Sequence, residues 1–207
     1  MITTHAEIAK AMDTLKAHYF EVYCCKTGQE AAKLALSLIP KEHVVSWGGS
    51  KTIDDIGLKD LLRQEGYQLI DRDTAESPAQ RKHLMRQALL CDTFLTSANA
   101  VSADGWLVNI DGNGNRVAAM AYGPESVIVV VGQNKLAPTL ADAQARARNV
   151  AAPQNAQRFS KPTPCTKTGS CHDCLSPDTI CSYFMNTRVS SPAGRVKVIF
   201  VEEDLGF

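Results

Sequence analysis

The most constraining feature of this chain is a nearly continuous run of β-branched apolar residues from Ser126 to Val131. A strand at a sheet surface alternates apolar and polar residues, so an unbroken apolar run indicates a strand that is covered on both faces. Two-sided cover is what helices on both sides of a parallel sheet supply. The run therefore predicts an α/β fold with this strand at the centre of the sheet.

The remaining patterns alternate between strand and helix along the chain. Short apolar segments predict further strands at 44–47, 67–70, 93–96 and 195–201, and helical periodicity predicts helices at 5–22, 28–38, 53–62, 78–90 and 140–150. Such alternation implies right-handed crossovers and a mostly parallel sheet flanked by helices. The segments 106–110 and 116–121, joined through Asn113-Gly114, predict an added β-hairpin.

Composition excludes several classes of protein. The 207 residues carry a formal net charge of zero, with 44% hydrophobic and 21% charged residues, so a single folded domain over 1–207 is expected and a nucleic-acid footprint is not. The longest apolar runs have the length of sheet strands, which predicts no membrane span. The stretch Met1–Glu7 lacks the features of a signal peptide, so we expect a cytoplasmic protein.

The strongest chemical signal is a group of four cysteines in a segment at about 162–185, rich in Pro, Ser, Thr and Gly. The cysteines are Cys165, Cys171, Cys174 and Cys181. In a reducing compartment, close spacing indicates metal or redox chemistry better than structural disulfides. Thiolates ligate both iron–sulfur clusters and zinc, and this spacing fixes neither. A 4Fe-4S cluster and zinc are therefore both open, as is the alternative of unligated thiols.

The other candidate ligands for a metal have simpler explanations. Cys24, Cys25 and Cys91 stand in apolar patterns, which predicts packed thiols. His172 is one isolated imidazole among the cysteines, and we expect it to be a bystander.

A second candidate site is the loop Gly48-Gly49-Ser50, between a predicted strand and a helix. Glycines let a ligand approach the backbone, free amides favour an anion, and Ser50 or Thr52 could add a hydroxyl donor. The alternative is a tight turn in which Ser50 caps the helix. The loop lacks the Gly-Lys-Ser/Thr ending of a Walker motif.

Two further loops follow predicted strands and could bind the same ligand. Ligands gather at the carboxyl ends of strands in open α/β sheets. The candidate binding residues in these loops are Gly132, Asn134 and Lys135 after one strand, and Ser97 and Asn99 after another. A solvated loop is the alternative for both. No catalytic triad, paired carboxylates or dinucleotide fingerprint is present, so whether the chain catalyses a reaction stays open.

Taken together, these segments resemble the LUD-domain family of lactate-utilisation proteins, in a short branch with a C-terminal four-cysteine segment. The matching stretches are Trp47–Ser50, Ile56–Leu58, Ser97–Ala100, Asp104-Gly105, Asn109–Arg116, Tyr122–Pro124, Val131–Lys135, Arg148–Pro153, Pro164–Cys181 and Glu203–Phe207. Their order covers nearly the whole chain.

The resemblance implies a fold like that of the ribose-phosphate isomerase, glucosamine-phosphate deaminase and CoA-transferase group, in which a glycine-rich loop holds phosphate or a related anion. It also implies an accessory, metal- or iron–sulfur-bearing component of L-lactate oxidation, working with iron–sulfur partner proteins. The alternative is an enzyme of the isomerase or CoA-transferase type that binds a phosphate, carboxylate or CoA ester and keeps a structural metal.

Overall fold

The computed structural model describes residues 5–207, so the first four residues of the stretch examined for a signal peptide lie outside the described part. Its strands are β1 (Glu21–Cys25), β2 (Val44–Trp47), β3 (Gln68–Ile70), β4 (Thr93–Thr96), β5 (Ala100–Ser102), β6 (Leu107–Asp111), β7 (Ser126–Gly132), β8 (Leu136–Ala137), β9 (Tyr183–Thr187) and β10 (Val196–Val201). Six of them form one all-parallel sheet in the order β1-β10-β7-β4-β2-β3. The predicted α/β class is thereby confirmed.

Strand β7 is buried along its whole length, as its sequence predicts. Val127, Val129 and Val131 belong to the core on one face of the sheet. Ile128 and Val130 belong to the core on the opposite face. Successive side chains of a strand point to opposite faces, so an uninterrupted apolar strand is a strand with two cores.

Helices supply the cover on both faces. They are α1 (His5–Ala17), α2 (Gly28–Ser37), α3 (Lys51–Asp55), α4 (Leu58–Gln64), α5 (Pro78–Gln87), α6 (Asn115–Ala121), α7 (Leu140–Arg146), α8 (Ala152–Arg158) and α9 (Pro164–Thr168). Helices α1 and α6 pack on one core, whereas α2, α3 and α4 pack on the other. No helix within residues 5–207 has both the length and the apolar character needed to cross a membrane.

The hairpin proposed for 106–121 is wrong, because its second arm is the helix α6. Asp111 Oδ1 accepts hydrogen bonds from the amides of Asn113 and Gly114, at 3.0 and 2.9 Å. Gly114 then takes a φ of 79° directly before the helix begins. These residues thus start a helix instead of closing a turn. An added hairpin does exist, but its arms are the antiparallel strands β5 and β6.

Strands β5 and β6 belong to a second sheet, ordered β8-β5-β6-β9. Strand β9 begins near the end of the cysteine segment, and it pairs antiparallel with β6 so that Tyr183 faces Asp111. Helix α9 lies in the same segment. The pairing ties the end of the cysteine segment to the second sheet.

The N-terminal helix predicted for 5–22 ends at Ala17, and residues from Glu21 form the strand β1. Tyr19 has a φ of 63°, which no α-helix accommodates, so the chain turns there. Strand β1 is at an edge of the sheet, where Cys25 is buried and Cys24 is exposed. The prediction of a packed thiol is therefore confirmed for Cys25 and Cys91 and is wrong for Cys24.

Candidate anion-binding cleft and cysteine cavity

A polar cleft of about 140 Å³ opens where the carboxyl ends of neighbouring strands meet. Strand β2 lies between β3 and β4 in the sheet. The chain therefore passes from β2 to its neighbour on one side, β3, and then crosses to its neighbour on the other side, β4. Loops that diverge in this way leave a crevice at the sheet edge. The loops that follow β2, β4 and β7 all reach this crevice.

Lys135 links these three loops from within the cleft wall. It follows β7, its side chain is buried, and its Nζ donates to Thr52 Oγ1 at 2.8 Å and to Ser97 Oγ at 2.9 Å. The two acceptors come from the loops and helix after β2 and β4. No acidic side chain in residues 5–207 lies within ion-pair distance of Lys135 Nζ, in contrast to the exposed Lys51, which pairs with Asp55.

Two arginines meet over Gly49. A Cβ atom built on Gly49 would lie 2.6 Å from Arg72 Nη2 and 3.8 Å from Arg158 Nη2. Any side chain at this position would therefore collide with a guanidinium. The Nε atoms of both arginines are buried without a hydrogen-bond partner. Buried donors that lack partners are costly, and an anion in the cleft would be a natural partner for them.

A third arginine, Arg116, is largely buried and is held by protein groups. Its guanidinium donates to Asn109 Oδ1, Asn99 Oδ1 and backbone carbonyls, and its Nε lies 3.4 Å from Asp111 Oδ2. Gly48 makes room for it, since a Cβ there would be 2.9 Å from Arg116 Cδ. Arg116 therefore shapes the cleft and contributes charge, with its donors already in use.

The cleft carries an excess of positive charge. Its charged lining residues are Lys51, Arg72, Arg116, Lys135 and Arg158 against Asp111. Burial, together with the nearby guanidiniums of Arg146 and Arg116, lowers the pKa of Lys135 to about 7. Burial also lowers the pKa of Arg72 and of Arg158. Asp73 lies 3.8 Å from Arg72 Nε and Asp54 lies 4.0 Å from Arg158 Nη1, so for both arginines the effect of burial outweighs that of the nearby carboxylates.

The cleft brings together two thirds of the residues that the sequence singled out for ligand binding. Those in its lining are Gly49, Ser50, Thr52, Ser97, Asn99 and Lys135. Ser50 also caps α3, because its Oγ accepts from the amide of Ile53 at 3.3 Å. The alternative interpretation of Ser50 as a cap thus holds alongside its place in the cleft. Helix α3 has only five residues, so its N-terminus is not counted as a source of positive charge. The positive charge of the cleft comes from the cationic side chains that line it.

The other three predicted residues, Gly48, Gly132 and Asn134, lie outside the lining and hold neighbouring segments. Asn134 Oδ1 accepts from the amide of Leu205 at 3.2 Å. A Cβ on Gly132 would lie 2.5 Å from that same amide nitrogen. Both residues therefore seat the segment 203–207 against the sheet edge.

Sequence reasoning missed the three arginines that dominate the cleft. Arg72 and Arg158 stand in a short turn of helix and at the end of α8, where an arginine is common and carries no motif. Arg116 directly follows the Asp111–Asn115 loop, and this position was the one feature of the sequence that could have indicated an arginine of the site. The convergence of the three depends on tertiary structure, which a linear pattern does not record.

The four cysteines of the C-terminal segment surround a second cavity, of about 110 Å³. Helix α9 carries Cys165, the pairing of β9 with β6 positions the preceding Cys181, and the intervening loop supplies Cys171 and Cys174. All four are free thiols. The four side chains therefore line one cavity, while their convergence on a metal and their role as its ligands stay predictions.

The surroundings of the sulfur atoms suit thiolates. The amide of Asp173 donates to Cys171 Sγ at 3.4 Å, and Arg148 contacts the same sulfur. Thr163 Oγ1 lies 3.2 Å from Cys165 Sγ. Burial raises the pKa of Cys181, and the nearby Cys171, Cys165 and Cys174 raise it further, so at this position a bound metal would have to displace the proton of a thiol.

This donor set fits a group held by thiolates, because soft sulfur ligands with hydrogen-bond donors around them are what such groups use. Within residues 5–207, no set of three or more His, Cys, Asp or Glu side chains is already arranged to hold a metal ion. His172 also lines the cavity and contacts Thr168 Oγ1 at 2.8 Å.

The cleft and the cysteine cavity adjoin at Ile180, which lines both. Gly112, in the loop after β6, packs directly against it, since a Cβ on Gly112 would lie 3.1 Å from Ile180 Cα. One residue thus separates a basic cleft from a cavity lined by four thiols.

Comparison with known proteins identifies a family and a solved structure to which this chain is similar. A family model for the LUD domain matches residues 8–201. The crystal structure of a DUF162 family protein from Deinococcus radiodurans is similar, with a TM-score of 0.54 and 14% sequence identity, covering 95% of this chain and 96% of that chain. At that identity the similarity concerns the fold alone. No curated protein matches the chain.

Proposed function

The chain belongs to the LUD-domain family of lactate-utilisation proteins, and from that premise we propose that it is an accessory component of L-lactate oxidation. It binds a small carboxylate in the basic cleft and carries a metal or iron–sulfur centre on the four adjacent cysteines. The observation that carries the proposal is the excess of cationic over acidic side chains in the lining of the cleft.

The chemistry of the cleft favours a small anion. Arg72 and Arg158 each offer a buried donor, and a guanidinium is the side chain that best matches a carboxylate, while Lys135 also lines the cleft. A volume of about 140 Å³ suits a ligand of the size of lactate or pyruvate. Pockets for larger metabolites are typically about 300–1,000 Å³.

Cys165, Cys171, Cys174 and Cys181 would hold the centre. Four thiolates are the usual ligand set of a 4Fe-4S cluster, which supplies one-electron transfer, and the same set also holds zinc. We favour the cluster because lactate oxidation releases electrons that need an acceptor. The amide of Asp173 and the guanidinium of Arg148 would stabilise the thiolate charge.

The surface beside the cysteine cavity supports a protein partner. Leu175 is 98% exposed and Phe184 is 56% exposed, although both side chains line the cavity. Exposed apolar side chains at the rim of a site are typical of docking surfaces. Iron–sulfur partner proteins of a lactate-oxidation system are the partners that this position suits, because electron transfer requires a short path to the centre.

The metal part of the proposal is tested on protein purified without oxygen. We expect a broad absorption band near about 400 nm that bleaches on reduction, together with iron and sulfide in the four-to-four ratio of such a cluster. A colourless protein with one zinc per chain would favour the isomerase or transferase alternative. A protein with neither metal would contradict both.

The ligand part is tested by calorimetric titration with L-lactate and pyruvate, with lactamide as a neutral control of similar shape. Binding of the acids and not of the amide is expected, because five of the six charged side chains in the lining of the cleft are cationic. Binding of only a sugar phosphate or a CoA thioester would overturn the carboxylate assignment and support the alternative.

A further inference from the structure

Lys135 differs from a lysine that merely attracts an anion. Its side chain is 3% exposed, and it has no carboxylate within ion-pair distance in the described chain. Its charged neighbours are the guanidiniums of Arg146 and Arg116, opposed by the more weakly acting carboxylate of Asp55. Desolvation and neighbouring positive charge both favour the neutral amine, which is the nucleophilic form. Its pKa of about 7 means that a large fraction is neutral at neutral pH.

The hydrogen bonds of Lys135 leave the lone pair of that amine available. Thr52 Oγ1 and Ser97 Oγ each accept a hydrogen bond from Nζ. Both hydroxyls are in turn directed to backbone carbonyls, at 3.5 Å to Leu205 and 3.2 Å to Ala98. The hydroxyls are thus oriented as acceptors for the two N–H bonds of a neutral amine. The lone pair is the remaining position on the nitrogen, and Lys135 is one of the residues that line the cleft.

We propose that Lys135 forms a reversible imine with the carbonyl carbon of a 2-oxo carboxylate held in the cleft. This inference rests on the proposed function, since it assumes that the arginines hold the carboxylate. It makes a 2-oxo acid, the oxidation product of a 2-hydroxy acid such as lactate, the ligand class of the cleft.

The chemistry balances without any further reactant. The Lys135 lone pair forms a bond to the carbonyl carbon, and the carbonyl oxygen takes up the proton that the nitrogen loses. The resulting carbinolamine releases that oxygen as water and leaves a carbon–nitrogen double bond. No electrons are transferred, and hydrolysis reverses the step. Arg72 and Arg158 hold the carboxylate, which places the adjacent carbonyl for attack.

The test is reductive trapping of the full-length protein. Wild-type protein is incubated with pyruvate and sodium borohydride, whose hydride converts an imine into a stable secondary amine, and the modified peptide is found by mass spectrometry. L-Lactate, which has no carbonyl, is the ligand control. Lys197→Met is the matched control variant, because Lys197 is a half-buried lysine that pairs with Glu21 at the opposite end of the sheet.

We expect an adduct on Lys135 in wild type and in Lys197→Met, and none in Lys135→Arg. The arginine variant keeps the positive charge but cannot form the imine, so it should still bind pyruvate in calorimetry. Wild-type protein that binds pyruvate without forming the adduct, or an adduct that maps to another lysine, overturns the inference and leaves the proposed function intact. Absence of pyruvate binding by wild type overturns the proposed function itself.

Discussion

The cleft and the cysteine cavity lie side by side but are built in opposite ways. The polar groups of the cleft, among them Ser50, Thr52, Ser97 and Lys135, are buried and joined by hydrogen bonds to the edge of a parallel sheet. From residue 164 to residue 182, by contrast, every residue is exposed or half-buried. One site is held by the core, and the other is held by a surface segment.

The difference indicates where each site obtains its organisation. The core holds the cleft in shape before a ligand arrives, at the cost of burying like charges together. The cysteine segment has little core of its own, so the group that binds there must supply the order. The two sites should therefore respond differently to loss of their ligands and to mutation.

The largest expected effect is on metal content. Cys174→Ser should remove nearly all bound metal, because structural thiolate sites draw about 10–16 kcal/mol from a complete ligand set. Cys24→Ser is the matched control, since Cys24 is exposed and lies outside the segment. Metal per chain is measured on anaerobically purified protein.

The same variant tests whether the segment is separate from the core. Thermal unfolding of Cys174→Ser should stay close to that of wild type, while cleavage by a protease between 164 and 182 should accelerate. A variant that keeps its metal, or one whose sheet unfolds with the loss of metal, would contradict the comparison.

The next effect is on anion affinity. Arg72→Met should weaken pyruvate binding by about 2–5 kcal/mol, the typical cost of truncating a buried charged hydrogen-bond partner. The variant should also be at least as stable as wild type, because the burial of this guanidinium, whose Nε has no hydrogen-bond partner, costs more than its 3.8 Å contact with Asp73 returns. Calorimetry and thermal unfolding measure the two quantities. Arg86→Met, on the exposed surface of α5, is the control.

A gain in stability with unchanged affinity would show that Arg72 faces no ligand. A loss of stability would show instead that the cleft is not a site of uncompensated charge. Either outcome would remove the contrast between a cleft organised before binding and a segment organised by binding.

The third effect is a pH-dependent gain in stability for Lys135→Met. The pKa of Lys135 is lowered from 10.5 to about 7 by burial and by the guanidiniums of Arg146 and Arg116, with Asp55 opposing them. Between these pH values the unfolded chain binds a proton that the folded chain does not, so the unfolding free energy of wild type rises with pH. Below pH 7 the penalty is fully present, and above about 10.5 it is absent.

The shift corresponds to about 4–5 kcal/mol at 1.36 kcal/mol per unit. Loss of the two hydrogen bonds, each worth about 1 kcal/mol, reduces the net gain at pH 7 to ~2 kcal/mol. Denaturant unfolding at several pH values between 7 and 10 measures it. If the unfolding free energies of wild type and Lys135→Met changed with pH in the same way, the charged form of Lys135 would not destabilise the folded protein.

Sequence patterns predicted the central sheet well because its signals are local. The two-sided burial of Ser126–Gly132 follows from an unbroken apolar run, and the loops that follow strands could be placed at one edge from chain order alone. Lys135 and Ser97 could therefore be expected to meet. The helix that begins at Asn115 could not be predicted, because the Asn113-Gly114 pair suits both a hairpin turn and the start of a helix.

Sequence patterns could not predict which side chains line the cleft, and the reason is physical. Arg72 and Arg158 are 86 positions apart, and they meet only because Gly49 leaves space between them. The strand β1 was hidden by helical spacing that continued into it, and its pairing with the distant β10 overrode that local pattern. Long-range contacts decide both cases, and no local window contains them.

The smallest expected effect concerns the contact between the two sites at Ile180. Filling of the cysteine cavity should order the segment that carries Ile180, and Ile180 also forms part of the cleft wall. Loss of metal should therefore change pyruvate affinity by about 0.5–1 kcal/mol, a few-fold, which is at the low end of couplings between distinct sites.

Ile180→Ala shortens the shared side chain and should reduce the coupling, while both ligands still bind, because none of the thiols or basic groups is altered. Pyruvate affinity is measured with and without metal in wild type and in Ile180→Ala, which completes a thermodynamic cycle. Equal affinity of wild type in the two states would mean that the sites adjoin without communicating, and the comparison would then describe two independent sites.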